Sequence, residues 1–328
     1  MSHPESTPRI GVIGVGTIGQ THINTWTAIG VPPVAFADAV PAALETTVEK
    51  SGGRGFASGL DLIASGEVDI VSVCTPPAFH RDIVVAALEA NVAVLCEKPL
   101  AHNLADAEAI AEVAGRTGTL FTVGFCHRFQ PHLQRIRQLI DDGELGTVMS
   151  YRNRFAGHKK DAEKTWFANP AIAGGGVLSD TSIHSIDTFR YLLGDPVRVH
   201  AFTSTRETEL GPRLEVDDTA AMILQTAEGT IGVIESSWRT PAGEWSFAVH
   251  GTAGTALFDY ATMKLQVIDA SKQIHDIEVE EGDRFQREFA HFLDCWRTGA
   301  TPRVTVADGL AANRILDAAY RTDQESAI

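Results

Sequence analysis

Basic residues are scarce in this chain: 27 lysines and arginines stand against 42 aspartates and glutamates, for a formal net charge of -15. A surface of that sign repels phosphate backbones and anionic lipid headgroups, so neither nucleic acid nor membrane is an expected partner. Cysteine is scarcer still. Cys74, Cys96, Cys126 and Cys295 lie far apart with no C-x-x-C pair, which suggests neither a disulfide framework nor a zinc site; no metal is expected, and the setting reads as reducing and cytoplasmic. Residues 1–8 lack the basic flank and apolar core of a signal peptide and read as a frayed tail, and no later apolar run approaches membrane-spanning length. There is no internal repeat and no low-complexity tract. At 328 residues the chain exceeds what a single hydrophobic core usually supports, so two domains are expected.

What is present begins with an apolar strand at residues 10–15, followed by Gly14-Val15-Gly16-Thr17-Ile18-Gly19 and a helical segment through residue 28. The pattern G-x-G-x-x-G is weak alone. Here it follows a strand and opens a helix, and a second apolar stretch, 34–37, ends in Asp38, nineteen residues after Gly19. In that context glycines let the backbone approach a pyrophosphate at a helix N-terminus, while the acid hydrogen-bonds the adenosine ribose. Asp38 also repels a 2′-phosphate, and Ala39-Val40-Pro41 supplies no arginine to bind one, so NAD is expected over NADP.

Alternating strands and helices continue to a last strand near residues 120–125, which implies right-handed crossovers and a parallel sheet. Two strands end in polar loops on the side where such sheets bind ligands: 68–74 in Thr75-Pro76-Pro77-Ala78-Phe79-His80, and 92–96 in Glu97-Lys98-Pro99. Proline at 99 biases Lys98 toward extended geometry. Both loops are expected to border the nicotinamide half of a cofactor, although His80 reads equally well as a helix-start residue with no ligand. The first domain is expected to span 1–125. From 126 to 328 the pattern changes to a helix at 131–142, a continuous helix near 178–193, and strands at 197–205, 219–226, 230–238 and 245–250 without long helices between them, which favours an antiparallel sheet.

The other informative run extends from Gly174-Gly175-Gly176 through Asp180 and His184 to Asp187. Glycines permit close backbone approach, and Ser179 or Asp180 can cap the helix that follows. Asp180 and His184, four apart, share a helical face. A metal reading of His184 with Asp180 or Asp187 lacks a third ligand of matching logic.

Taken in order, the glycine motif, Thr75-Pro76-Pro77 with His80, Glu97-Lys98-Pro99, Arg128-Phe129 and the run 174–187 resemble the Gfo/Idh/MocA oxidoreductases, the glucose-fructose oxidoreductase and inositol dehydrogenase group, over nearly the whole chain. The resemblance implies a Rossmann domain followed by an α/β domain with an open-faced, mainly antiparallel sheet, often used for contacts in a homodimer or homotetramer. It implies that Lys98, Asp180 and His184 are the catalytic group. Gly14, Gly16, Thr17, Ile18, Gly19, Asp38, Thr75, Pro76, His80, Glu97, Lys98 and Arg128 would line the cofactor, and the substrate would be a polyol, cyclitol or sugar. Two other readings stay open: a catalytically silent NAD-binding redox sensor, and the same chemistry on an anionic sugar met by the basic run Arg152, Arg154, His158, Lys159, Lys160 and Lys164. Cys74, Cys96 and Cys126 fall at the ends of consecutive strands and are expected to lie together as small buried residues or as redox-sensitive thiols.

Overall fold

A computed structural model describes residues 6–325; of the expected tail, positions 1–5 lie outside the described residues. The chain forms two compact units, one of residues 1–126 with 283–313 and one of residues 127–282 with 314–328.

In the first unit, strands and helices alternate: β1 (Ile10–Ile13), α1 (Thr17–Ala28), β2 (Ala35–Ala37), α2 (Pro41–Ser51), β3 (Arg54–Phe56), α3 (Gly59–Ala64), β4 (Ile70–Val73), α4 (His80–Glu89), β5 (Ala93–Cys96), α5 (Leu104–Thr117) and β6 (Phe121–Val123). All pairings are parallel, in the order β3-β2-β1-β4-β5-β6. Central strands such as Ile10-Gly11-Val12-Ile13 and Ala93-Val94-Leu95-Cys96 are buried throughout, as a sheet covered by helices on both faces requires. The strand order reverses between β1 and β4, which opens a ligand crevice at their carboxyl ends. The expected Rossmann sheet is therefore present.

The second unit comprises α6 (Pro131–Asp141), β7 (Val148–Ala156), a short α7 (Pro170–Ala173), α8 (Ile183–Leu193), then β8 (Arg198–Ser204), β9 (Thr219–Gln225), β10 (Ile231–Ser237), β11 (Trp245–Gly251), β12 (Gly254–Asp259), β13 (Lys264–Asp269) and β14 (Ile274–Ile277). These strands make an eight-stranded sheet, β14-β13-β12-β11-β7-β10-β9-β8, antiparallel except where β7 runs parallel to β10. Its inner face is packed by α8: the ring of Phe189 lies edge-on to Tyr151 at 5.5 Å, and a Cβ added at Gly232 would come within 2.5 Å of it. The opposite face carries the cross-strand row His200, Ile223, Val233, Arg152, Ala248 and Leu257, of which Ile223 is half exposed.

Two helices complete the chain, α9 (Arg284–Thr298) and α10 (Val306–Glu325), and the first of them departs from the expected boundary. Residues 283–313 belong with the first unit. In α9, Phe289, Phe292, Leu293 and Trp296 join Ile10, Trp26, Ile70 and Leu95 in one buried cluster. The amphipathic pattern of α9 shows that it packs on something, but not that its partners lie as far upstream in the sequence as Ile10 and Trp26. α10 runs from one unit into the other; Thr322 and Asp323 near its end accept the backbone N–H groups of Ala201 and Thr203 in β8. Replacing Phe289, fully buried against Trp26, with alanine should cost roughly 3–5 kcal/mol of stability in denaturant unfolding, the usual range for removing a core phenylalanine.

Candidate active site

The turn after β1 is shaped by three glycines with different duties. Gly14 has φ +87°, and a Cβ there would meet the Cys74 carbonyl at 2.8 Å; at Gly19 it would lie 1.9 Å from the Gly14 carbonyl oxygen. The first lets the turn pass against the end of β4, and the second keeps α1 close against the turn. At Gly16 a Cβ would meet nothing within 4 Å, so this glycine leaves open space at the N-terminus of α1, where no side chain caps the helix. That is the arrangement a pyrophosphate needs, with free backbone N–H groups and the positive end of the helix facing an empty cradle. Thr17 is exposed beside it and Ile18 packs on the cluster of Val12, Val15 and Phe36. Asp38, at the end of β2, accepts the N–H of Val15 at 2.8 Å and that of Val40 at 2.8 Å, which fixes its carboxylate over the turn. Thr75 and Pro76 follow β4, and the Thr75 hydroxyl is buried with no hydrogen-bond partner among the described residues. An open cradle and an orphaned donor beside it both fit a bound dinucleotide.

Two residues expected against the cofactor have buried protein partners. His80 is fully buried, with Nε2 2.8 Å from the Thr75 carbonyl and Nδ1 near the Pro99 carbonyl and Cys96 Sγ; burial pushes its pKa down. It ties the loop after β4 to the loop after β5. Arg128, in the second unit, is buried and grips both carboxylate oxygens of Asp187 at 2.6–3.1 Å. That bidentate pair anchors α8 and leaves Asp187 as a structural partner. Glu97 is also buried; its Oε1 meets His22 Nε2 at 2.9 Å and its Oε2 accepts the Lys98 N–H at 3.2 Å. Lys98 itself, half-buried, follows β5 and joins Pro99 through a cis peptide bond.

In the second unit, the expected continuous helix is interrupted. Leu178–Ser182 forms a turn with π-helical spacing ahead of α8, a wide turn of the kind that recurs at functional sites. Its seat is Asp217. One oxygen of that carboxylate accepts the Gly176 N–H and the Tyr320 hydroxyl, and the other accepts the Leu178 N–H, all at 2.8 Å. Gly176 cannot be otherwise, because a Cβ there would lie 1.8 Å from the Asp217 carbonyl oxygen. Burial raises the Asp217 pKa, against the pull of its three donors. Asp180, within the turn, accepts a 2.8 Å hydrogen bond from Lys159, whose ammonium also stands 3.0 Å from the Phe167 ring centre and 4.6 Å from that of Trp238. The ring of His184 lies 4.6 Å from that of His127, and His127 Nδ1 is 2.5 Å from the Tyr260 hydroxyl. Motif reading found Asp180 and His184 but not Asp217, His127 or Tyr260, and it placed Lys159 in a basic run without its partner Asp180; their positions come from distant strands and loops.

The basic run is electrically quieter than its sequence suggests. Arg152 and Arg154 pair with Glu235, Arg154 also with Glu244, Lys164 with Asp161, and Lys159 with Asp180. The thiols of Cys74, Cys96 and Cys126 are buried, and burial pushes the pKa of each upward, Glu97 adding to the effect in all three. Such thiols are poor nucleophiles, which favours reading them as small buried residues.

Comparison with known proteins gives a consistent picture. Residues 8–125 match the family model described as an oxidoreductase family with an NAD-binding Rossmann fold, and residues 133–257 match the GFO/IDH/MocA C-terminal domain. An inositol 2-dehydrogenase of Rhizobium meliloti is 30% identical, with 97% of this chain and 98% of the relative aligned; inositol 2-dehydrogenase 3 of Saccharopolyspora erythraea is 31% identical over 95% and 92%. Among solved structures, an aldose-aldose oxidoreductase from Caulobacter crescentus complexed with glycerol superposes with a TM-score of 0.89 at 28% identity, covering 98% of this chain and 99% of that one. A levoglucosan dehydrogenase in complex with NADH and levoglucosan shares the fold, with a TM-score of 0.90 at 24% identity and 97% and 98% coverage.

The seat of the π-turn is open to direct test. Asp217→Asn puts an amide donor against a backbone N–H in place of one carboxylate oxygen, and should destabilise the protein by about 1–3 kcal/mol, the cost of leaving a buried polar group unsatisfied. Thermal unfolding of the variant checks this; an unchanged melting temperature would mean the carboxylate is not the seat.

Proposed function

Because the chain belongs to the GFO/IDH/MocA family of NAD-binding oxidoreductases, we propose that it is an NAD-dependent dehydrogenase of a secondary hydroxyl on a cyclitol, sugar or related polyol, with Lys98, Asp180 and His184 as its catalytic group. The observation that most supports this reading is the position of Lys98. It follows β5 at the carboxyl end of the sheet, one strand beyond β4 and two beyond the glycine turn that follows β1, where the nicotinamide half of a dinucleotide lies in folds of this order.

Bound NAD supplies the hydride acceptor, the C4 carbon of its nicotinamide ring. Gly14, Gly16 and Gly19 hold the backbone for the pyrophosphate and Asp38 takes the adenosine ribose hydroxyls. As the carbinol C–H bond breaks, the substrate hydroxyl loses its proton. His184 is suited to accept it, since an imidazole changes charge near neutrality. The Lys98 ammonium hydrogen-bonds the same oxygen and stabilises the developing alkoxide charge, as a fixed cation does in a site with little water. Asp180, held by Lys159, stabilises the cationic imidazole. The pairing of the basic run with its own carboxylates argues for a neutral polyol over an anionic sugar.

A screen of NAD reduction across cyclitols, aldoses and polyols tests the reading. Lys98→Ala should leave NAD affinity within a few fold while turnover falls about 100- to 1000-fold, the usual cost of removing one such donor; a variant with full turnover on an identified substrate would overturn it. NAD should bind more tightly than NADP, and titration of both cofactors checks this, with equal affinities counting against Asp38 as the selector. We also infer a homo-oligomer built on the open face of the second sheet, and Ile223→Glu should lower the mass measured by sedimentation.

A further inference from the structure

The sequence offers Glu97 as a cofactor contact, but the fold gives its carboxylate other work. It is 7% exposed at the end of β5, and both oxygens are engaged, one by His22 of α1 and the other by the N–H of Lys98. His22 is fully buried, lies edge-on to Phe289 of α9 at 4.8 Å, and its Nδ1 has no partner among the described residues. Burying a carboxylate and an imidazole in this way is costly unless each stabilises something. Gly124 is shaped to the same carboxylate, since a Cβ there would stand 3.0 Å from Oε1.

We propose that the buried His22–Glu97 pair is a positioning device for Lys98, in which Glu97 holds the Lys98 backbone and keeps its ammonium charged, while His22 keeps Glu97 ionised. The proposal rests on the assignment of Lys98 above. Its electrostatics follow from the surroundings. Burial alone would raise the Glu97 pKa, but the hydrogen bond and charge of His22, followed by the charge of Lys98, bring it below the ordinary carboxylate value. The other titratable groups that feel Glu97 are His80 of α4, Cys74 after β4, Cys96 in β5 and Cys126 after β6. Burial favours the neutral form in all four. Arg284 and Glu288 of α9 act on Cys126 with opposite sign. Glu97 is thus an anion held to the Lys98 backbone and close enough for the two charges to interact, and an anion near an ammonium favours the charged form.

The test reads Lys98 directly. Reductive methylation with carbon-13 labels the lysines, Lys98→Arg assigns the Lys98 signal, and pH titration by NMR without substrate gives its pKa. Glu97→Gln, isosteric and able to keep the backbone contact, should lower that pKa by about one unit or more, as loss of a nearby opposite charge does. In parallel, the alkaline limb of kcat/KM should move to lower pH while the KM for NAD stays within a few fold. His22→Leu removes the donor that holds Glu97 ionised, so the acid-range step that Glu97 imposes on the Lys98 signal should move upward. His22→Gln, which can still donate, should restore most of the shift. An unmoved Lys98 pKa in folded, NAD-binding Glu97→Gln overturns the proposal; if that variant does not fold, an acid-range step identical in His22→Leu and wild type overturns it instead. A Lys98 pKa that falls while the rate profile stays still upholds the device and removes Lys98 from the reaction.

Discussion

The packing of α9 against α1 is the contact on which the first unit's chemistry depends. Phe289 sits on Trp26 and His22 together, and Trp26 in turn donates its indole N–H to Ser72 in the middle of β4. Helix α1 is thereby fixed on one side to the sheet and on the other to a helix from far along the chain. Its N-terminus, the cradle beside Gly16, inherits that rigidity. So does the interior of the site, because the same phenylalanine keeps water from His22 and so from the carboxylate that it meets.

The second unit solves a comparable problem with polar groups. A wide turn has backbone N–H groups that an ordinary helix would satisfy internally, and here they are collected by the Asp217 carboxylate with help from Tyr320. Three glycines precede the turn, and one of them must be glycine because the chain passes directly against the Asp217 carbonyl. Asp180 and His184 therefore project from a segment pinned at its start by charge and along α8 by the buried Arg128–Asp187 pair. Each unit thus sets its proposed catalytic side chains beside a buried carboxylate whose partners lie on other elements.

Much of this was legible in the sequence, for a definable reason. The glycine turn, Asp38, Lys98 and the run 174–187 announce themselves through local constraints: a backbone that must turn sharply, a strand that must end, a helix that must begin. The resemblance implied His80 and Arg128 as cofactor contacts, and the structure gives each a buried protein partner. Both stand inside recognisable motifs, but what a side chain touches is decided by its fold neighbours, and Asp187 lies 59 residues from Arg128. His22 and Asp217 carried no signal at all, and Lys159 only that of a basic run. A histidine on an amphipathic helix, a lysine in a basic loop and an aspartate ahead of a strand are ordinary residues until their partners are known. The domain boundary differed on the same account, since hydrophobic periodicity shows that α9 has a buried face and says nothing of what covers it.

That return of the chain bears on how the protein is made. Most of the second unit is inserted within the first: the chain leaves the Rossmann unit after residue 126, comes back at 283 and leaves again after 313. During synthesis the parallel sheet can pair as soon as β6 has emerged, yet the surface of α1 and the edges of β1, β4 and β5 that α9 will cover stay bare until more than 150 further residues have been added. Contacts of such sequence separation form late and slowly, and apolar surface left open in the meantime invites association with other chains. The nascent N-terminal region thus carries an uncovered apolar face, and its stability is completed only when the ribosome has delivered residues from the far side of the inserted sheet.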